Sequence, residues 1–294
     1  MHYPRLLALA LACATATIPM LADPAGAQTR AEIRQTVEAT MVLTGTLDLS
    51  PTGTVDKVHL DKEDQVDPGI VGTVNRLVSG WRFEPVIRDG RAVPARTPLR
   101  MRLLAQQTGD GGLAISVASA RFDNGSETVI RTDSVQPRKL TPPKFPEKLF
   151  YMGGVGEVTL LLEIGRDGRP QNVAVEQVNL RVILREHLMR RMRDGFMKAS
   201  VDAAKRWEFD IPTTGEYADA ESWTVRVPVN YYTNREVAER YGQWQAYVPG
   251  PKSPAAWNYK GKGTAEDNGD LLTEGGVYMA GISKGPKLLT PLGG

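Results

Sequence analysis

Few side chains in this sequence are equipped for covalent or metal chemistry. Of its three histidines, His2 sits in the leading segment, and His59 and His187 stand far apart. No H-x-x-x-H or H-E-x-x-H spacing occurs, so no imidazole pair is set up for a zinc site. A single cysteine, Cys13, forms neither a disulfide framework nor a cysteine-based metal site. There is no G-x-S-x-G elbow and no phosphate loop. Gly153-Gly154-Val155-Gly156 is too short for a dinucleotide fingerprint and leads into a strand pattern. Asp167-Gly168 lacks the preceding acidic ligands of a calcium loop. Asn124-Gly125-Ser126 fits a glycosylation sequon, which turn chemistry also explains. These residues read as a protein that is not an enzyme and holds no cofactor or metal. What remains is backbone chemistry. A strand at a sheet edge presents unpaired N–H and C=O groups and takes up an extended peptide by β-augmentation.

Two alternating runs each close a set of strands, and the family resemblance that those sets carry makes them candidate edges. The first is Leu99, Arg100, Met101, Arg102, Leu103 and Leu104; the second runs from Thr224 to Tyr231 through Val225, Arg226, Val227 and Val229. Two states are open for each: a free edge, or one capped by linker strands or the downstream tail. Arg100 and Arg102 would blunt the first edge, because charge there deters pairing. Pro228 has no N–H to donate, which suits an edge strand. Arg181, Arg185, Arg190, Arg191 and Arg193 form a basic cluster, either a solvated helix face or a surface for lipid phosphates or an acidic partner.

The elements that must position these edges show in the hydrophobic period. Thr44–Leu49 and Thr54–Leu60 alternate around a turn at Ser50-Pro51-Thr52-Gly53, which predicts a β-hairpin. Ile70, Val71, Val74, Leu77 and Val78 recur at helical spacing up to Gly80. Trp81-Arg82-Phe83-Glu84-Pro85, a turn at Asp89-Gly90, and the first candidate edge follow. The order then repeats. Val158–Ile164 alternates, Arg166-Asp167-Gly168-Arg169 turns, Val173–Val178 returns, a helix runs from about Ile183 to Arg206, Trp207-Glu208-Phe209 follows, and the second candidate edge closes the set. Gly53 matches Gly168, and Trp81 and Phe83 match Trp207 and Phe209. The stretch from Gly168 to Trp207 is about 11 residues longer than that from Gly53 to Trp81. Both tryptophans fall just past a helix, where they plug the sheet–helix junction.

Length and charge agree with such an organisation. A chain of 294 residues suggests two domains, and 36 Lys+Arg against 34 Asp+Glu exclude a nucleic-acid binder driven by a basic face. Arg5, the uncharged run Leu6–Ala22 and Ala25-Gly26-Ala27 have the three parts of a secretory signal peptide, with cleavage expected after Ala27 and export to a bacterial periplasm. The alternative is an uncleaved inner-membrane anchor, for which about 17 residues is near the minimum. Ala10, three places before Cys13, does not suit a lipidation signal. The expected organisation is a signal peptide over 1–27, a first domain over 41–105, a linker with strands over 106–139, a second domain over 140–232, and an irregular or partly disordered tail over 233–294. The fold class is α+β: two small antiparallel-sheet-plus-helix domains and a Gly/Pro-rich tail. Trp244, Tyr247, Trp257 and Tyr259 either pin the tail or contact a partner.

The ordered set of motifs resembles the C-terminal domain of the energy transducer TonB. The resemblance rests on Phe145-Pro146, on Gly156-Glu157-Val158-Thr159-Leu160, on Asp167-Gly168-Arg169-Pro170-Gln171-Asn172-Val173, and on Trp207-Glu208-Phe209. The first copy carries Trp81-Arg82-Phe83-Glu84-Pro85 but lacks the aromatic-Pro pair; in the second, Asp210-Ile211-Pro212 displaces the proline. The resemblance covers about half the chain. It implies a protein partner, a TonB-dependent receptor or another envelope protein, held by sheet-edge pairing. Membrane contact is expected only through an uncleaved N-terminus. A homo-oligomer using the same edges is the alternative. The family's long Pro-rich spacer is missing here.

Overall fold

The fold is taken from a computed structural model, which describes residues 38–108, 113–122, 132–232, 241–259, 262, 271–272, 275–282 and 285–292. The expected signal peptide, the sequon and residues 129–131 of the expected linker lie outside the described residues. Among those described, no helix is long and apolar enough to cross a membrane.

The first sheet grows around a long strand, β1 (Glu38–Leu49). Its second half turns at Ser50–Gly53 and pairs with β2 (Val55–Leu60), from Gly45↔Leu60 to Leu49↔Val55. The turn holds because the Ser50 hydroxyl accepts from the Thr52 and Thr54 amides, while Gly53 takes φ +80. Helix α1 (Pro68–Ser79) follows. Asp67 caps it by accepting from the Gly69 amide, and proline occupies its first turn. It buries Ile70, Val74 and Val78, spaced four apart on one face. A tight hairpin of β3 (Ile87–Arg88) and β4 (Arg91–Ala92) turns at Asp89-Gly90, both at positive φ. Then β5 (Ala95–Gln107) pairs with β1 from Ala39↔Ala105 to Leu49↔Ala95, and β6 (Leu113–Arg121) pairs with the other side of β5. Leu43, Leu47, Leu99, Met101, Leu103, Trp81, Phe83 and Phe122 fill the core. Burying each such side chain contributes about 2 kcal/mol.

The second sheet follows a short strand, β7 (Gln136–Lys139), and a one-turn helix, α2 (Glu147–Tyr151). Strand β8 (Gly156–Gly165) turns at Gly168 into β9 (Pro170–Leu180), and α3 (Glu186–Ala204) packs across them. Next come β10 (Glu208–Asp210), paired with β7, and β11 (Ser222–Tyr231), paired with β8 over ten residues from Ser222↔Gly165 to Tyr231↔Gly156. Helix α3 buries Met189, Met192, Phe196, Ala203 and Ala204. Val201 of the same helix is half-buried and packs against that core. Residues 241–292 contribute β12 (Gln245–Tyr247) and β13 (Tyr278–Met279). The described residues are therefore α+β, with more strand than helix.

The two sheets share one local lock. The Phe83 amide donates to the Gly53 carbonyl at 2.7 Å, and the Phe209 amide to the Gly168 carbonyl at 2.8 Å. Both glycines have positive φ, and a Cβ would lie 2.0 Å from the Phe83 oxygen or 2.3 Å from the Phe209 oxygen. Only glycine admits so close an approach.

Candidate functional site

The first candidate edge is not an edge. Leu99, Arg100, Met101, Arg102 and Leu103 lie in β5, which has β1 on one side and β6 on the other. Leu99, Met101 and Leu103 face the core. Arg102 is buried, reaches the Thr40 hydroxyl at 3.4 Å, and stacks 5.0 Å from the Tyr247 ring centre. These arginines therefore do not guard an open edge. The partner strand β6 is nine residues long but small or polar at several of them, so its role was not written in a strong period.

The second candidate edge is a true outer strand, and half of it is taken. Thr224 accepts from the Ala280 amide, and β13 pairs at Val225↔Met279 and Arg226↔Tyr278. Backbone groups alternate sides along an antiparallel strand. With Thr224 facing outward, Arg226, Pro228 and Asn230 face outward too, and Val225, Val227, Val229 and Tyr231 point their amides at β8. The missing N–H of Pro228 thus falls on the outer side, where it costs the ladder to β8 nothing. Beyond β13, the Pro228 carbonyl and the Asn230 amide and carbonyl have no strand facing them among the described residues.

The side chains of this edge are committed to two interiors. Val225, Val227, Val229 and Tyr231 are buried in the core under α3. Tyr231 stacks on Phe196 at 4.2 Å and shares a 2.8 Å hydrogen bond with Ser200. Burial pushes its hydroxyl up to about 12, against the lowering effect of that bond. Phe145 packs edge-on against Phe196 and Tyr231, and the Pro146 carbonyl accepts from the Leu149 and Phe150 amides to start α2. On the opposite face Arg226 makes two 2.8 Å bonds to the Glu176 carboxylate, and Trp257 donates to the Thr224 hydroxyl at 2.9 Å. Leu161, Ala255 and Ala280 close a small apolar cluster there.

Where described, the tail packs on both sheets, with Trp257 bonded to Thr224 and Tyr247 under Arg102, whereas Trp244 is exposed. β12 pairs with β1 at Glu38–Thr40, and one residue later Val248 bridges to Leu180 of β9. The Ser253 amide donates to Glu176, and Gln177 reaches the Gly250 carbonyl. Further on, Phe83 bridges to Leu288. Two of the five clustered arginines serve this lacing. The Arg181 side chain is buried, bonds Gln245 at 3.0 Å and lies 3.9 Å from Glu157. Arg193 donates to the carbonyls of Val178, Val248 and Pro249. Burial lowers its pKa from the usual guanidinium value, partly offset by Glu186. Arg185, Arg190 and Arg191 stay exposed. Sequence reading missed the clamp because its acceptors are backbone carbonyls distant in the chain.

Trp81 and Trp207 both sit in their cores, but only one indole is satisfied. Trp207 donates to the Thr141 carbonyl at 2.8 Å. Pro85 is exposed past Phe83. Gly156 lies so close to β9 that a Cβ would meet the Asn179 oxygen at 2.7 Å. Among the described residues, no group of three or more His, Cys, Asp or Glu side chains converges.

The chain is 32% identical over 100 residues to proteins named TonB from two strains of Xanthomonas campestris pv. campestris, a stretch that is 34% of this chain. The match spans 39% of each of those relatives. No family model matches, and no solved structure matches. The chain therefore carries a TonB-like domain.

Proposed function

We propose that the protein is an interaction module of the bacterial envelope. It has two units of the TonB C-terminal type, over 41–105 and 140–232. It is exported to the periplasm with cleavage after Ala27, and it holds an extended segment of a partner, such as a TonB-dependent receptor, against the outer edge of β11. The carrying observation is the asymmetry of β11: ten residues paired inward and, among the described residues, only the two-residue β13 paired outward. Short paired stretches of this size contribute little by themselves, so a partner strand of five or more residues displaces β13 and extends along Pro228 and Asn230.

Proline at Val227 is a poor probe, because that amide serves β8. Asn230→Pro removes an outward donor and spares the inner ladder. We expect it to weaken binding of an extended receptor N-terminal peptide at least tenfold, measured by fluorescence anisotropy. Equal binding by wild type and Asn230→Pro would sink the reading.

A second reading rests on the tail. It occupies β1 at 38–40, β9 at 176–180 and β11 at 224–226, so the edges are used internally and the protein is a self-contained assembly component of the envelope. That reading expects no peptide binding and a stable oligomer in light scattering.

A further inference from the structure

The first unit is completed by a distant piece of the chain. Pro286-Lys287-Leu288-Leu289-Thr290-Pro291 repeats the pattern of Pro137-Arg138-Lys139-Leu140-Thr141-Pro142. The upstream copy of this motif contains most of β7 and pairs with Glu208–Asp210, directly after Trp207. The downstream copy pairs with Arg82–Glu84, directly after Trp81. The Glu84 amide donates to the Lys287 carbonyl at 2.9 Å, and the Leu289 amide to the Arg82 carbonyl at 2.8 Å. Leu288 and Leu292 pack against the first core, and exposure alternates along 286–292 as in a strand.

The two seatings differ by a slip. Glu208 faces Lys139, whereas its counterpart Arg82 is bonded by Leu289, one place further along the motif. Past the bulge after Glu208 the offset grows to two places, since Phe209 faces Pro137 whereas its counterpart Phe83 faces Leu288. Leu289 points out, at 58% exposure. Trp207 finds the Thr141 carbonyl, but the Trp81 indole N–H, in a residue only 1% exposed, has no acceptor among the described residues. The Thr290 hydroxyl accepts from the Arg82 amide instead, at 3.2 Å. The slot beside Trp81 is therefore filled, but with one buried donor left over.

We propose that the slot along Arg82-Phe83-Glu84 is a binding site for an extended Leu-Thr-Pro segment, occupied in cis by residues 286–292 and open to exchange with the same segment supplied in trans. It is independent of the β11 reading, since neither β11 nor β13 takes part.

The test uses the full chain and a labelled peptide of residues 285–292. Leu288→Asp in the chain removes the apolar contact of the resident segment and frees the slot. We expect anisotropy to show binding at least tenfold tighter to this variant than to wild type, and none for a peptide carrying the same change. Equal binding to both chains, or no binding to a variant that still melts cooperatively, overturns the proposal. Hydrogen exchange on the wild-type chain decides it should the variant misfold. An exchangeable segment makes the Glu84 amide exchange at least tenfold faster than the Phe209 amide. Equally slow exchange at the two positions overturns it.

Discussion

The first and second sheets use the same glycine–phenylalanine lock but close their surroundings differently. The second takes its flanking strand from β7, just upstream, and its Trp207 is fully bonded. Its outer face is sealed by Ala255, Trp257 and Tyr259 and by a buried Arg226–Glu176 pair, so β8 is buried along nearly its whole length. The first borrows its flanking strand from residue 287 onward and leaves Trp81 one bond short. A shared local motif therefore does not imply shared completeness; what finishes each sheet is where its last strand comes from.

The largest test of that difference is the buried Arg226–Glu176 ion pair on the outer face of the second sheet. Arg226→Ala leaves the Glu176 carboxylate buried without its partner and is expected to cost about 3–5 kcal/mol in urea unfolding. Hydrogen exchange should rise through β8 and β11 while β1 and β5 keep their protection. A uniform rise across both sheets would show that the tail makes them one cooperative body.

The shared lock comes next. Gly53→Ala and Gly168→Ala each force a Cβ onto a backbone carbonyl at positive φ, and each should lose about 2–3 kcal/mol. Similar losses are expected; a mild effect at Gly53 alone would mean that the first sheet can loosen its hairpin. The tryptophans sharpen the contrast further. Trp207→Phe strands the Thr141 carbonyl and should cost about 1–2 kcal/mol more than its lost volume. Trp81→Phe removes a donor that bonds to nothing, so its cost should be the smaller of the two. The reverse order would break the comparison.

The smallest effect is electrostatic and confined to the first sheet. The Arg96 guanidinium, hydrogen-bonded at 2.5 Å, and then His59 at 2.9 Å hold the Asp48 carboxyl down at about 2. Because the folded value lies below the ordinary 3.8, the contribution is fully present above that pH and is lost as pH falls toward 2. Asp48→Asn should flatten the melting temperature slightly over that window and leave it unchanged in shape above pH 5. The group lies at the surface and is partly exposed, so solvent screens much of the effect.

Much of this was legible in the residues. Alternation marked β1, β2, β8 and β11, the turn glycines marked the hairpins, and the apolar period marked α1. What was not legible was which strands lie inside a sheet. Arg100 and Arg102 alternate with apolar residues as on a half-exposed strand, yet a second neighbour, β6, makes β5 interior. Edge status depends on a partner distant in sequence, and no local period encodes it. The tail escaped for a related reason. Strands of two or three residues carry no period, and their pairing is fixed by anchors such as Arg193 and Trp257, whose targets lie far upstream.

The borrowed strands also set an order of events. Glu38–Thr40 waits for Gln245–Tyr247, and Arg82–Glu84 waits for Lys287–Leu289. During synthesis the second sheet waits from Tyr231 to Tyr278–Met279 for its last strand, while the first sheet, made earlier, stands with two stretches of bare backbone until Lys287–Leu289 emerge. The half that leaves the ribosome first is finished last. Contacts between residues so far apart form slowly, so that interval is when the first sheet is most open to mispairing.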